Sequence, residues 1–371
     1  MILNKCRILL IFFFIVLFFM GCSNDEPLKI GFVGGLTGRF ANLGVDARNG
    51  VTLAIEEINK KGGIHGRKVV LLTRDDKQNE QTAARVDKEL IEHGVFGIVG
   101  HMTSSMSVVG RKIATKHKVV MISPTASSSD LTGIDDHFFR IYPATSSDSA
   151  MRIANYSYKR GFKRVGIIYD YGNKAHTVPS LKFFKAIFKK LGGEVVFEQR
   201  YRSRKETDFI KFAKKCVDEK IDALYLLANA MDTAIICQHI AKMGGRIPVL
   251  GTEWSATKEI FQFGGKAVEV LVFSSSFNIS LNSSHFKEFS RAFQKRFGYS
   301  VNFASSNGYD CASILFTAFK KSRAQYGLKE AIIDIGIFKG VQGELSLNQY
   351  GDVKRDYYLM TIKDGKFSAV E

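Results

Sequence analysis

The sequence predicts an α/β protein built from two doubly wound lobes. Three observations support this fold class. Apolar or β-branched runs alternate with amphipathic stretches along most of the 371 residues. The alternation starts a second time near residue 164, after an extended segment that ends at Pro143. A chain of this length with 45% hydrophobic residues buries enough apolar surface for two domains.

Residues 1–21 have the composition of an export signal. Basic residues precede the apolar run Ile8–Met20, which is short for a membrane span. The junction before Cys22 resembles a bacterial lipoprotein signal, in which cleavage leaves that cysteine to carry a lipid. Phe19 and Met20 depart from the usual Leu and small residue, so a secretory signal cut elsewhere and an uncleaved anchor stay open. Under each alternative the folded part is exported.

The first run of predicted elements follows the signal. Its strands are apolar, and its helices carry apolar residues three or four positions apart. In order, we expect strand Leu28–Val33, helix Asp46–Lys60, strand Lys68–Thr73, helix Gln78–His93, strand Gly97–Gly100, a helix that starts near Ser104, strand Val119–Ser123 and an extended segment Phe138–Tyr142.

The two strands that flank the helix near Ser104 run into small hydroxyl residues. Ser104 and Ser105 follow the first strand, and Thr125 and Ser127 follow the second. In a parallel sheet these loops share one edge, where ligands bind. Hydroxyls beside helix N-terminal N–H groups suit a carboxylate, although helix capping alone also explains them.

The second run repeats the pattern of strands and helices. Two helices and a β-rich end follow it, too little for a third domain, so they complete the two lobes. In order, we expect strand Arg164–Tyr169, helix Thr177–Leu191, strand Glu194–Arg200, helix Thr207–Asp218, strand Ala223–Ala228, helix Met231–Met243, strand Pro248–Gly251, helices His285–Phe297 and Gly308–Lys321, and the β-rich portion Gly343–Val370.

Charge and cysteine content exclude several classes of protein. The net charge is +17, and residues 159–220 hold 17 Lys or Arg against 7 Asp or Glu. No nucleic-acid-binding motif accompanies this charge, so it indicates a solvated surface that favours an anionic membrane or an acidic partner. Cys216, Cys237 and Cys311 fit no metal motif; a Cys216–Cys237 disulfide and buried free thiols are both open.

Enzyme motifs are missing from the sequence. The glycines at 31, 34, 35 and 38 do not form a dinucleotide-binding loop, and no histidine lies in a hydrolase or zinc-protease motif. We therefore expect no catalysis and no cofactor.

Several stretches resemble one family in order and with similar spacing. They include IGFVGGLTGRFANLGVDARNGVTLAIEEINKKGG, RDDKQNEQTAARVDKELIEHGVFGIVGH, VVMISPTASSSDLT, FKRVGIIYD, VLGTEW and GELSLNQYGDVKRDYYLMTIKDG. They resemble the leucine/isoleucine/valine-binding proteins, which are type I periplasmic binding proteins of ABC importers. The resemblance covers nearly all of residues 28–371.

The resemblance implies Rossmann-like lobes joined by three crossovers, with the ligand held between them. The crossovers would lie near Pro143, Ser276 and Lys354. The first lobe would then comprise residues 28–143 plus 277–353, and the second residues 144–276 plus 354–371. Such a protein is extracytoplasmic, monomeric and a partner of ABC permease subunits, and it closes by hinge motion.

The resemblance also assigns the ligand contacts. In amino-acid-binding members, positions equivalent to Ser104 and to the loop Thr125, Ala126 and Ser127 hold the ligand carboxylate. Glu253 stands where a glutamate takes the ligand ammonium, and the adjacent Trp254 either walls the pocket or lies in the core. His101 would be structural.

Three positions depart from the members that bind branched-chain amino acids. Where those members have tyrosines, this chain has Lys174 (or the nearby Tyr171), Asn229 and Leu43. The changes favour a more polar or acidic ligand than leucine, with a second carboxylate or an amide. The predicted function is delivery of an amino acid or amide to a permease; a sensing or regulatory lipoprotein of the same fold is the alternative.

Overall fold

The computed structural model describes residues 26–144, 147–204, 206–322 and 327–370. The predicted signal segment and Cys22 lie outside the described residues. Within the described part of the chain, none of the helices combines the length and apolar character that crossing a bilayer requires. The fold class predicted from the sequence is confirmed: two mainly parallel sheets, each flanked by helices, form two lobes.

The first sheet has the strand order β2-β1-β3-β4-β5, and all of its neighbouring strands are parallel. The chain order reverses between β1 and β3, which is the position where doubly wound sheets bind ligands. The elements of this run are β1 Leu28–Gly34, α1 Ala41–Lys60, β2 Val69–Asp75, α2 Glu80–Glu92, β3 Ile98–Val99, α3 Ser104–His117, β4 Met121–Ser123 and β5 Phe138–Arg140.

The second sheet has the order β14-β13-β10-β9-β8-β6-β7. It is parallel except at β13, which pairs antiparallel with both of its neighbours. Its elements are α4 Ser147–Lys159, β6 Arg164–Asp170, α5 Lys174–Lys190, β7 Glu194–Tyr201, α6 Ile210–Asp218, β8 Ala223–Leu227, α7 Ala230–Lys242, β9 Val249–Thr252, α8 Glu259–Gly264, β10 Leu271–Ser275, β13 Tyr358–Lys363 and β14 Lys366–Ala369.

The chain returns to the first lobe after β10. There it forms α9 Ser284–Phe297, α10 Phe303–Lys321, α11 Leu328–Ile335 and the antiparallel pair β11 Ile337–Gly340 and β12 Gly343–Ser346. It passes between the lobes in the segments after β5, after β10 and after β12. The lobe boundaries proposed from the sequence fall in these segments and stay a prediction.

Helices α1 and α10 pack unusually closely. A Cβ added at Gly50 of α1 would lie 2.0 Å from the carbonyl oxygen of Ser305, and one at Gly308 would lie 2.2 Å from that of Ala47. Only glycine fits at these two contacts. They fasten residues 303–321 to the first lobe although about 250 residues separate the two helices in sequence.

Several predicted elements differ from the structure. Helix α1 begins at Ala41, α5 at Lys174 and α10 at Phe303, each earlier than predicted, whereas α6 begins later, at Ile210. The sequence did not predict helices α4, α8 and α11. The described cysteines Cys216, Cys237 and Cys311 are buried free thiols, so the structure contains no bond between the first two.

Candidate functional site between the two lobes

A cavity lies between the carboxyl ends of the two sheets, with about 340 Å³ of space not filled by protein atoms. This volume is at the lower end of the range for small-molecule sites, roughly 300–1,000 Å³. Residues before, in and after α3 and in α1 and α10 line one side: Leu43, Met102, Ser104, Thr125, Ser127, Tyr142 and Phe303. The second lobe contributes Asn173, His176, Thr252 and Trp254.

Hydrogen bonds fix the hydroxyl loops of the first lobe to each other. Ser104, the first residue of α3, accepts the backbone N–H of Ser127 at 3.0 Å. The Thr125 hydroxyl donates to the carbonyl of Met102 at 2.5 Å. Because the Ser104 oxygen already accepts a bond, its hydroxyl hydrogen is left to donate. The N-terminus of a 14-residue helix therefore presents a hydroxyl donor to the cavity, an arrangement that suits an anionic group.

The second lobe gives the cavity a neutral wall. Burial lowers the pKa of His176 to about 4, so the imidazole is uncharged at neutral pH. Its Nδ1 lies 2.8 Å from the Ser127 hydroxyl, and its Nε2 lies 3.4 Å from that of Thr252. Its ring also meets Trp254 edge-on, with centroids 5.8 Å apart.

The start of α5 contacts the start of α3 across the cleft. The backbone N–H of Ser105 donates to Asn173 Oδ1 at 3.2 Å, and the Ser105 hydroxyl accepts the N–H of Ala175 at 3.3 Å. With the bond between Ser127 and His176, these contacts join the two lobes on both sides of the cavity. The structure is the closed form of a two-lobed clamp.

A second set of contacts between the lobes involves the segment before α1. Arg39 donates through Nε and Nη2 to Asp232 Oδ1, at 2.8 and 2.5 Å, and the Tyr201 hydroxyl donates to the other carboxylate oxygen at 3.0 Å. The ring of Phe40 stacks on Trp254 at 5.9 Å and 12°. We call this set (Arg39, Phe40, Tyr201, Asp232 and Trp254) the latch.

Glu253 does not reach the cavity, contrary to the expectation from the resemblance. Its carboxylate accepts bonds from the hydroxyl of Ser275, from the N–H and hydroxyl of Ser276 at 3.2 Å each, and from the N–H of Phe277 at 3.1 Å. The Tyr142 hydroxyl bonds to it as well.

Burial raises the pKa of Glu253, and the surrounding hydroxyl and N–H donors oppose that effect. The Arg355 guanidinium interacts electrostatically with the same carboxylate. Glu253 lies among the segments that connect the lobes, behind Tyr142 as seen from the cavity.

Other predicted site residues divide into two groups. Leu43, Ser104, Thr125, Ser127 and Trp254 line the cavity, so the structure brings them together as expected. Ala126 is buried beside it without lining it. The remaining two expectations differ: Lys174 is exposed, and Asn229 caps α7 by accepting the N–H of Asp232 at 3.0 Å.

Sequence reasoning missed Asn173, His176 and Thr252 as lining residues. The first two flank Lys174, and Thr252 precedes Glu253, so each prediction was one or two positions away from the lining residue. Helix geometry supplies the missing signal, because residues 173 and 176 share a face at the start of a helix whereas residue 174 points elsewhere.

His101 lies next to the site but does not line it. It is fully buried, with Nδ1 2.8 Å from Asp76 Oδ2 and Nε2 3.0 Å from Asp87 Oδ2. Burial lowers its pKa, but the two carboxylates outweigh burial and raise the pKa to about 10. A buried imidazolium clamped on both sides fixes the backbone before Ser104, which fits the expected structural role.

Known proteins provide a comparison for this geometry. The family described as "Periplasmic binding protein" matches residues 27–366. The chain is 27% identical over 260 residues to the Leu/Ile/Val-binding protein homolog 3 of Brucella melitensis biotype 1, covering 69% of each chain. It is 26% identical over 253 residues to the Leu/Ile/Val-binding protein BraC3 of Rhizobium johnstonii, covering 67% of each.

Among solved structures, the substrate-binding protein LivJ of Streptococcus pneumoniae, a branched-chain amino acid transporter protein in complex with isoleucine, superposes with a TM-score of 0.84. It is 25% identical, and the match covers 93% of this chain and 98% of that one. The leucine-binding protein LivK of Thermotoga maritima has a TM-score of 0.82 at 23% identity, with 93% and 98% covered.

Proposed function

The chain belongs to the periplasmic binding protein family, and from this we propose that it is the solute-binding component of an ABC importer. The family implies an extracytoplasmic location, and its members bind solutes and are not enzymes. In the proposed function, the two lobes close on a small solute that carries a carboxylate and present it to permease subunits. The mature protein is a monomer attached to the membrane by a lipid on Cys22.

The cavity is the observation that carries this proposal. It is enclosed by both lobes, has hydroxyls at the start of α3 on one side, and is otherwise lined largely by apolar and aromatic side chains such as Leu43 and Phe303. This combination suits a carboxylate with an apolar body. The relatives named above bind leucine, isoleucine and valine, which makes these amino acids the first candidates.

The polar ligand expected from the sequence loses its main support. That expectation depended on Lys174 and Asn229 at the cavity, and neither lines it. A second carboxylate on the solute would meet no cation among the residues that line the described cavity. We therefore propose a solute with one carboxylate.

Trp254 allows a direct test, because it is the only tryptophan of the chain and touches both the cavity and Phe40 of the other lobe. Solutes that occupy the cavity change its environment, so its fluorescence reports binding. The experiment titrates the exported domain with the amino acids and with small carboxylic acids. Saturable binding that is lost in Ser104→Ala but kept in the surface variant Lys363→Ala supports the proposal; failure of every carboxylate to bind refutes it.

A further inference from the structure

The lining of the cavity restricts the solute further than the family does. None of the lining residues among the described part of the chain is an aspartate, glutamate, lysine or arginine. An α-amino acid carries an ammonium next to its carboxylate. In a closed cavity that ammonium needs an acceptor of opposite charge, because removing an unpaired cation from water costs several kcal/mol.

The nearest candidate acceptor, Glu253, is already satisfied. Both of its carboxylate oxygens accept hydrogen bonds from the segment Ser275–Phe277, and Tyr142 stands between it and the cavity. Its electrostatic partner within the protein is Arg355. Turning Glu253 toward a ligand would leave those buried donors and the guanidinium without their acceptor.

Two other buried carboxylates of the second lobe are also engaged. Asp232 is held by Arg39 and by the Tyr201 hydroxyl. Asp170 accepts the backbone N–H groups of Gly172 and Ser203, at 2.7 and 3.2 Å, and does not line the cavity.

The acceptors that remain on the cavity wall are neutral. The Thr125 oxygen offers a lone pair because its hydrogen goes to the Met102 carbonyl, and His176 is uncharged. Neutral acceptors suit a hydroxyl group or an apolar substituent, and they do not offset the cost of burying an ammonium.

We propose that the solute is a small apolar carboxylic acid without an ammonium group, such as a 2-oxo, 2-hydroxy or unsubstituted branched-chain acid. This inference rests on the proposed function, since it assumes that a carboxylate binds at the start of α3. It departs from the amino acids that the names of the relatives suggest.

Matched solutes that differ only at the second carbon test the inference. Leucine, 4-methyl-2-oxopentanoate and 4-methylpentanoate share one apolar body and one carboxylate. Trp254 fluorescence titration should give at least one of the two acids without the ammonium a dissociation constant about a hundredfold or more below that of leucine, because the ammonium loses its hydration without gaining a charged partner.

A variant that adds a carboxylate to the wall provides the control. Asn173→Asp keeps the Oδ1 that accepts the Ser105 N–H and replaces the amide nitrogen with a second oxygen. The ratio of leucine affinity to 2-oxo acid affinity should rise at least tenfold in this variant, and its melting temperature without solute shows that it is folded.

Each outcome decides between the two proposals. Equal or tighter binding of leucine, or of any other amino acid, by the unchanged protein overturns the inference and leaves the proposed function standing. Binding of none of the carboxylates overturns both. Tighter binding of the acids without the ammonium, together with the shift in Asn173→Asp, supports both.

Discussion

Removing the arginine of the latch should weaken solute binding more than it destabilises the fold. Asp232 is fully buried and keeps only the Tyr201 hydroxyl as a side-chain partner once Arg39 becomes alanine. Breaking a buried ion pair costs about 3–5 kcal/mol, but the Arg39 side chain is 20% exposed, so solvent screening reduces the loss to about 2 kcal/mol. The loss applies to the closed form, because opening the cleft lets water reach Asp232.

A loss of about 2 kcal/mol from the closed form alone raises the dissociation constant about 30-fold. The assay is Trp254 fluorescence titration of Arg39→Ala with whichever solute the unchanged protein binds, supported by small-angle scattering of the solute-free form, which should become more extended. Arg164→Ala is the matched control, because Arg164 pairs with Glu194 on the surface of the second lobe and touches no residue of the first. An unchanged dissociation constant and radius of gyration in Arg39→Ala would refute the role of the latch in closure.

Three further predictions concern stability. Because His101 has a folded pKa of about 10, above its unfolded value of about 6.5, its stabilisation is complete below pH 6.5 and is lost toward pH 10; thermal melts should show this decline, and His101→Asn should flatten it. Glu253→Ala should lower the free energy of unfolding in urea by about 2–4 kcal/mol because it leaves several buried donors unpaired, and a loss below 0.5 kcal/mol would contradict the described network. Gly50→Ala should cost more than about 3 kcal/mol or prevent folding, since its Cβ would overlap the carbonyl of Ser305, whereas Gly327→Ala, with its nearest neighbour 3.8 Å away, should be close to neutral.

The sequence predicted the fold well because strand and helix periodicities are local properties. The hydroxyl loops around Ser104 and Ser127 were also predictable, since parallel topology alone brings the ends of β3 and β4 to one edge. Helix α4 was missed because its stretch is rich in Ser, Asn and Tyr, which favour helices weakly. The early part of α1, ANLG, likewise contains residues more typical of a turn.

The second-lobe half of the site could not be predicted to the residue. Whether Glu253 faces the cavity or the connecting segments depends on donors at Ser275–Phe277 and on Tyr142, which are remote from it in sequence. The identity of the lining residue near Lys174 depends on where α5 begins, and helix starts are the least local part of the pattern. Direction, rather than residue type, was the missing information.

The position of Glu253 has a mechanical consequence. One carboxylate bonds to Tyr142 on the first connecting segment and to Ser275–Phe277 on the second, and it lies within electrostatic reach of Arg355 on the third. None of the three segments can bend by itself without breaking bonds at this shared carboxylate. Opening therefore couples them into one rotation about one axis, and a force applied to either lobe by a docked membrane protein would be transmitted through Tyr142 to the wall of the cavity.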